Sequence, residues 1–361
     1  MNKYQMPTLT DDEMRSRLAL PEGPLRLIID TDTHNEIDDQ FALAWALLSQ
    51  DRLEIEGVLA EPYSFAHHQA PMLEAYQLIT SGQSLPEHLM GYNTWVDNLI
   101  KANVDPETIP FVSPAEGVAL SYQEILTVFD KVGADASDLV YQGSPDYLTT
   151  LDNPIQSAAT DHLIKRALAD DDRPLYVVAI GCITNVASAI LLEPEIIKKI
   201  VVVWTSAYPS TTNLWNGASL NLVQDPLASQ FIFDCGVPHV YLPGFHVGAQ
   251  LSVSLPEMEA WVKGKGAMGD YLYHLYTHNP IYAQRGITDH FARTWIIWDV
   301  INIAWLLNPD WVSSQLVRSP ILGDDLYWQH DDQRHWMREA HGINRDAIFR
   351  DLFLKLEKSA M

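Results

Sequence analysis

Four aspartates lie within ten positions near the start of the chain, and their spacing points to metal chemistry. Asp30 and Asp32 end the apolar run LIIDTD, and the adjacent Asp38 and Asp39 begin a helix-patterned segment. Like charges packed together are tolerated when a cation neutralises them or when they share protons. Residues i and i+2 of a strand point to one face, so Asp30 and Asp32 can converge at the strand end. Successive helical residues are rotated by about 100°, so Asp38 and Asp39 are expected to diverge, one toward a metal and one toward a second ligand.

A fifth carboxylate, Asp299, is the only charge in the helix-length apolar run TWIIWDVINIAWLL, residues 294–307. A buried, unpaired carboxylate is strongly unfavourable and requires a partner. An ion pair with a nearby base such as Arg293 is the structural alternative. In combination with the first acidic cluster, a metal ligand is the favoured interpretation.

Two polar segments behind predicted strands add further candidates. In VAIGCITN, residues 178–185, the carbonyl of Ile180 can lack a partner in the sheet, and a hard cation binds such an oxygen. The structural alternative is that Gly181 only forms a turn and Thr184 caps a helix. In TTNLWNGASLNLVQDP, residues 211–226, Asn213 and Asn221 can bind sugar hydroxyls, because an amide both donates and accepts. Loop asparagines also form turns without any ligand.

The elements that position these residues alternate between apolar strands and helix-patterned segments. We expect strands at 25–30, 53–60, 175–180, 200–205 and 239–242, and helices at 39–49, 66–80, 156–169, 185–192 and 226–234. Residues 82–154 are expected to form excursions with one helix at 122–132. This alternation predicts an α/β fold with an open, mostly parallel sheet covered by helices on both faces. Ligands of such sheets bind outside the carboxyl ends of the strands, where the acids lie.

Composition excludes several classes of partner. The 361 residues predict a polar N-terminal arm at 1–24 and one domain at 25–361. With 23 basic and 47 acidic residues the net charge is −24, which argues against nucleic acid and anionic membranes. Two cysteines form neither a disulfide framework nor a zinc motif. No signal-like or membrane-spanning segment is evident, so we expect a cytoplasmic protein.

Together these segments resemble the inosine-uridine nucleoside hydrolase family. Its signature is D-x-D-P-G-x-D-D before a helix, then G-x-x-T-N, F-N-x-x-x-D-P and a late aspartate. This chain has DTDTHNEIDD, GCITN, LNLVQDP and WDVINIAW in that order, between about residues 25 and 308. The family fold is an α/β open sheet, in agreement with the pattern of elements. The resemblance implies hydrolysis of the N-ribosidic bond of a ribonucleoside by calcium-activated water, and a homodimer or homotetramer.

The resemblance also implies a role for each matching residue. The calcium ligands would be Asp32, Asp39, the carbonyl of Ile180 and Asp299. Asp32 would also be the general base for the attacking water. Asp38 and Asn221 would hydrogen-bond the ribose hydroxyls, Asn213 would reach the far end of the sugar, and Asp30 would support the loop.

Three departures from the family pattern concern the substrate. Residues 33–36 replace the Pro-Gly turn and make the loop two residues longer. The glutamate usually found two residues before the motif asparagine is Ser219, so a contact to the 5′-hydroxyl is missing. The asparagine after the second strand is also unmatched, since the chain reads AEPYSFAHH there. We hypothesise that Asn35 or Glu36 supplies a replacement contact; alternatively, both only shape the loop.

Trp298 stands where many family members have a histidine that helps the base to leave. A tryptophan resembles the purine-preferring branch, in which an aromatic ring stacks on the base, although a core role in an apolar helix is the structural alternative. Other aromatic candidates for the base pocket are Tyr63, Phe65, Tyr208 and Trp215, and candidate acids are His67, His68 and His246.

Two other functions compete with this interpretation. LIIDTDT also fits the first motif of haloacid-dehalogenase-like phosphatases, with Asp30 as nucleophile and residues 321–332 as a late acidic motif. That alternative leaves Asp38, Asp39, Asp299 and GCITN unexplained. A non-catalytic sugar- or nucleoside-binding descendant of the hydrolase is the second alternative, and the intact acids argue against it.

Overall fold

A central sheet of eight strands organises the protein in the computed structural model, which describes residues 6–289 and 291–360. The strands are, in chain order, β1 (Leu25–Thr31), β2 (Leu53–Ala60), β3 (Val140–Gln142), β4 (Leu175–Ala179), β5 (Ile200–Ser206), β6 (His239–Pro243), β7 (Ser252–Ser254), β8 (Thr294–Ile296), β9 (Val312–Arg318), β10 (Ile321–Leu322), β11 (Trp328–Gln329) and β12 (Trp336–Ile343). The large sheet has the order β3-β2-β1-β4-β5-β6-β12-β9. All its neighbouring pairs are parallel except β12 with β9, so the predicted α/β fold with a mostly parallel sheet is confirmed.

Helices cover both faces of this sheet. They are α1 (Asp11–Arg17), α2 (Asp38–Leu47), α3 (Gln69–Thr80), α4 (Asn93–Ala102), α5 (Pro114–Val132), α6 (Ala158–Ala167), α7 (Thr184–Leu192), α8 (Leu220–Val223), α9 (Pro226–Asp234), α10 (Leu255–Trp261), α11 (Gly266–Thr277), α12 (Pro280–Gln284), α13 (Val300–Leu307) and α14 (Arg345–Ser359). Along β1, Leu27 and Ile29 join one hydrophobic core and Ile28 joins another. This alternation follows from the two-residue period of a strand and places one core on each side.

The helix that carries Asp38 and Asp39 is buried along its whole length. Helix α2 packs against β2, α5 and α13, which leaves it no solvent-facing side. It therefore lacks the amphipathic pattern of a surface helix. Its burial fixes the position of its first turn relative to the end of β1.

Two segments differ from the sequence-based expectation. Residues 82–154 also contain α4, β3 and the beginning of α5 at Pro114, where Ser113 and Glu116 form a capping box that the pattern S-x-x-E predicts. The run 294–307 is a short strand followed by a helix, because β8 pairs with β7 and the helix begins only at Val300. Asp299 therefore lies at the helix N-cap, not inside a helix.

The expected polar arm contains α1, which begins at a Thr10–Glu13 capping box. Its Met14 and the following Leu18 are buried in the core. No helix within residues 6–289 and 291–360 is both long and apolar enough to cross a bilayer.

Candidate active site

A cavity of about 1270 Å³ opens at the carboxyl ends of β1, β4 and β5. Most of the predicted site residues line it: Asp32, Asn35, Glu36, Asp38, Asp39, Ile180, Asn221, Trp298 and Asp299. Asn213 is exposed and does not line this cavity. The position agrees with the rule that open α/β sheets bind ligands where the strands end.

Three carboxylates converge at the base of the cavity. One oxygen each from Asp38, Asp39 and Asp299 lies within 4.8 Å of the others, and all three residues are buried. Asp38 and Asp39 thus converge, contrary to the expected divergence. Both occupy the first turn of α2, where Cα–Cβ bonds tilt toward the helix N-terminus and short side chains can reach the same point. Helix α13 packs beside α2 and brings Asp299 to them.

These three acids form a site that requires positive charge. Burial raises the pKa of all three acids well above the usual range. The next largest causes are the charge of Glu36 for Asp38, that of Asp32 for Asp39 and that of Asp38 for Asp299. Among the described residues no ion pair reaches Asp299, and Arg293 instead donates to the carbonyl of Asp289. The ion-pair alternative for Asp299 is therefore wrong. Carboxylate oxygens are ligands for hard cations, so the donor set fits calcium-like ions.

Asp32 lies beside this group but is not one of its three members. Asn35 donates from its side chain to Asp32 Oδ2 at 3.1 Å and from its backbone to the Asp32 carbonyl at 2.7 Å. Asn35 therefore closes the variant loop onto Asp32. Burial, then the charges of Asp38 and Glu36, raises the pKa of Asp32 well above its usual range. A carboxylate with a raised pKa is a better proton acceptor, as a general base requires.

Asn221 ties together the ends of two strands. Its amide nitrogen donates to the carbonyl of Ile180 at 3.0 Å and to that of Thr205 at 3.1 Å. Both amide protons are used in this way, so its Oδ1 is the atom left for a ligand. The Ile180 carbonyl has a second lone pair, which remains available to a cation.

The polar side chains of the GCITN motif hydrogen-bond acids that do not line the cavity. Thr184 Oγ1 donates to Asp225 Oδ2 at 2.7 Å, and no side-chain cap is formed at the start of α7. The capping alternative for Thr184 is therefore wrong. Asn185 donates to Asp30 Oδ1 at 2.8 Å, which agrees with a supporting role for Asp30.

The sequence analysis missed Glu61, which directly follows β2 and is fully buried. Neither carboxyl oxygen of Glu61 has a hydrogen-bond partner among the described residues. Burial raises the pKa of Asp30 to about 7, and burial with the charge of Asp30 raises that of Glu61 well above its usual range. Two acids buried together in this way are tolerated when they hold protons. A Cβ on Gly181 would collide with Glu61 Oε2 and the carboxyl of Asp32, which explains glycine there. The sequence signal that could have identified Glu61 is its position as an acid directly after a buried strand.

Aromatic rings line the outer part of the cavity. Trp298 is half-buried and precedes α13, so it is not confined to a helical core, and its ring meets Phe245 edge-on at 5.7 Å. Among the other candidates, Phe65, Trp215, His67 and His68 line the cavity, whereas Tyr63, Tyr208 and His246 do not. Two cationic residues that the sequence analysis did not assign to the site, Arg285 and Arg293, also line it.

The sequence matches the profile of the family described as inosine-uridine preferring nucleoside hydrolase over residues 27–347. It is 26% identical over 160 residues to a probable uridine nucleosidase 2 of Arabidopsis thaliana, covering 42% of this chain and 49% of the relative. It is 28% identical over 183 residues to a pyrimidine-specific ribonucleoside hydrolase, RihB, of Shigella flexneri, covering 46% of this chain and 55% of the relative. The match thus spans about half the length of these curated relatives.

The fold is also similar to a solved structure. A purine-preferring ribonucleoside hydrolase from Gardnerella vaginalis superposes with a TM-score of 0.62 at 19% sequence identity, covering 93% of this chain and 99% of that one. At this level of identity the likeness shows the fold alone. The profile match covers most of this chain and includes every segment of the sequence signature.

Proposed function

This chain belongs to the inosine-uridine preferring nucleoside hydrolase family, and from that premise we propose that it hydrolyses the N-ribosidic bond of ribonucleosides to free base and ribose. The observation that carries the proposal is the convergence of Asp38, Asp39 and Asp299 beside Asp32 at the base of one cavity. Structural carboxylates at such depth are commonly paired with bases, and these three form no ion pair among the described residues. The phosphatase alternative is less well supported, because it leaves Asp38, Asp39 and Asp299 without a role.

Calcium is the cofactor we propose. Asp32, Asp39, Asp299 and the carbonyl of Ile180 would hold it, since all four offer hard oxygen atoms at the cavity wall. When bound, such an ion orients a water molecule and lowers its pKa. Asp38 shares the same small volume as Asp39 and Asp299, so a ribose held by Asp38 would lie directly beside the ion.

The residues of the chain then perform the proton transfer and the charge stabilisation. Asp32 accepts the proton of the attacking water, while Asn35 holds the Asp32 carboxylate in place. Asp38 and the free oxygen of Asn221 accept hydrogen bonds from ribose hydroxyls. The ribose develops positive charge as the base leaves, and the surrounding carboxylates stabilise it. This gripping of hydroxyls favours ribosides over deoxyribosides.

We also propose a preference for purines, which Trp298 supports. Its ring lines the cavity next to Phe245, and stacking on a base is worth about 1–3 kcal/mol. The relatives differ in this respect: the name of one states pyrimidine specificity and that of another a purine preference. In a Trp298→Ala variant, we expect kcat/KM for inosine to fall about tenfold more than that for uridine. Equal losses for both nucleosides would contradict the purine preference.

Release of free base and ribose from a panel of nucleosides, with and without chelator, tests the function. We expect turnover of inosine, its loss on chelation, its recovery with added calcium, and slower turnover of 2′-deoxyinosine. Absence of turnover across the panel, or turnover indifferent to chelator, would overturn the proposal. Binding of ribose without any release of base would support the non-catalytic alternative instead.

A further inference from the structure

The charges around the cavity are distributed unevenly. Carboxylates crowd its base, whereas the guanidinium groups of Arg285 and Arg293 line the same cavity. The whole chain has only 23 basic residues against 47 acidic ones. Glu87 and Asp325 also line this cavity, so the two arginines mark separate positions within it at which a negative charge would be favoured.

Arg285 is held in place at this cavity but forms no ion pair with an acid among the described residues. Its Cζ lies 5.7 Å from the centre of the Trp95 ring, and Trp95 Nε1 donates to the carbonyl of Gln284 at 3.0 Å. Gly286 has a φ of 61°, and a Cβ there would come within 2.8 Å of the α4 backbone, so the chain is packed closely at this point. The Arg285 Nε is buried and has no hydrogen-bond partner among the described residues. A planar guanidinium fixed in this way suits the oxygens of a phosphate.

The loop that departs from the family pattern lines the same cavity as Arg285. Glu36 belongs to this loop, and Asp38 at the base also lines the cavity. Arg285 thus shares one continuous space with the residue proposed to hold the ribose. Glu36 is also one of the two residues hypothesised to replace a contact at the 5′ end of the sugar.

Ser219 is an uncharged residue at a position of the cavity wall where the family resemblance predicts an acid. Family resemblance predicts a glutamate there, directed to the 5′-hydroxyl, and such a carboxylate would repel a phosphate. The buried Ser219 hydroxyl instead accepts from the backbone N–H of Ala207 at 2.9 Å and contacts Ser206 Oγ at 3.2 Å. The cavity, at about 1270 Å³, also exceeds the common range of roughly 300–1,000 Å³ for small-molecule sites. The volume permits a larger substrate, and Ser219 lacks the charge that would repel a phosphate.

We propose that the substrate carries a phosphate on its 5′ oxygen and that Arg285, stacked on Trp95, binds this phosphate. The inference rests on the proposed N-ribosidic hydrolysis and narrows its substrate class to ribonucleoside 5′-monophosphates. The bond that breaks is the same: one water is consumed, and the products are the free base and ribose 5-phosphate. The phosphate supplies binding energy and stays attached to the sugar.

Turnover of matched pairs tests the proposal. We expect kcat/KM for inosine 5′-monophosphate to exceed that for inosine at least about tenfold, as a charge-assisted hydrogen bond provides. Arg285→Gln should lower this ratio about tenfold, Ser219→Glu should lower it as well, and the exposed control Arg350→Gln should leave it unchanged. A wild-type protein that hydrolyses inosine but shows no preference for the monophosphate overturns the inference and leaves the proposed function standing. If neither compound is hydrolysed, the proposed function itself fails.

Two further measurements separate the possible sources of the anion. Calorimetry with the products should show tighter binding of ribose 5-phosphate than of ribose, and the difference should shrink in Arg285→Gln. Equal affinities would overturn the proposal independently of turnover. Orotidine, which carries a carboxylate on its base, is compared with uridine; a preference for orotidine without one for 5′-monophosphates would place the anion on the base and overturn the 5′ assignment.

Discussion

The two ends of β1 bury charge in opposite ways. Near its start, Arg26 is 1% exposed and forms two hydrogen bonds with the Glu56 carboxylate, at 2.7 and 3.0 Å. The carbonyls of Arg166 and Arg173 accept further hydrogen bonds from its guanidinium. Every buried charge at this end thus has an opposite charge or a dipole next to it, which is the condition for tolerating it.

At the other end of the same strand, acids face acids. Burial raises the pKa of Asp30 and of Glu61, and Asp32 lies beside the group formed by Asp38, Asp39 and Asp299. The surrounding chain supplies hydroxyl and amide donors, such as Thr31 to Asp39 at 2.5 Å, but no ion pair among the described residues. The difference separates charges that stabilise the fold through a partner from clustered acids without one, which are candidates for a functional site.

The largest effect is expected from a substitution among the clustered acids at the carboxyl end of β1. Asp32→Asn keeps the shape and the Asn35 contact but removes the proton acceptor, so we expect kcat to fall by roughly 10²–10⁴. The protein without calcium should at the same time melt at a higher temperature, because one of the mutually repelling acids is gone. Steady-state kinetics and thermal melts measure both, with exposed Asp310→Asn as the control. A variant that retains full activity would refute the assignment of Asp32 as base.

A substitution at the paired end of β1 should lower stability and leave activity unchanged. Glu56→Gln leaves Arg26 beside a neutral amide, with Asp171 at 3.5 Å as its remaining acidic partner, and breaking a buried pair in this way costs about 3 kcal/mol. Activity at 25 °C should persist, since Glu56 does not line the cavity. Chemical denaturation measures the loss of stability. A kcat that falls together with the stability would show that the two ends are not independent.

Because the pKa shifts at the two ends of β1 have opposite signs, the stability contributed by each end depends on pH in the opposite direction. This effect is expected to be smaller than those of the two substitutions. Burial raises the pKa of Asp30 to about 7, so the folded protein holds a proton there that the unfolded chain releases near pH 4. This stabilisation is lost as the pH rises through about 7. Hydrogen bonds from Arg26 and Arg166 outweigh burial and lower the pKa of Glu56, so its contribution is lost as the pH falls through that lowered pKa, below 4.5.

Thermal melts in chelator check this prediction between about pH 4 and pH 7, with Asp30→Asn as the matched reference, because both proteins share the contributions of His239 and His335, whose pKa values burial lowers to about 3 and about 4. We expect the stability of the wild type relative to Asp30→Asn to fall by up to about 1.4 kcal/mol per pH unit as the pH rises, and to level off above about pH 7. The same fall should appear in the Glu56→Gln background. A difference that does not change with pH would contradict the raised pKa of Asp30.

Much of the fold was predictable because strands and helices have different periods. Buried strands such as 53–60 and 200–205 lie within a residue of their predicted bounds, since a continuous apolar run in a parallel sheet is distinctive. The polar excursion at 82–154 was underpredicted: α4 packs on a small separate core with Met72 and Ile109, and that core depends on contacts distant in the sequence. Asp299 was found as an unusual charge, but its place at the N-cap depends on the pairing of β8 with β7.

The sequence by itself determined the acids, their order along the chain and the edge of the sheet at which they lie, because residue type and local period are sufficient for these. Only the tertiary structure decided which acids meet. Asp38 joins Asp39 and Asp299 through the packing of α13 beside α2, and Glu61 meets Asp30 through the pairing of β2 with β1. The buried Nε of Arg285, which has no hydrogen-bond partner among the described residues, likewise became visible only in three dimensions. Charges interact through space, and the distances between residues remote in sequence are set by packing.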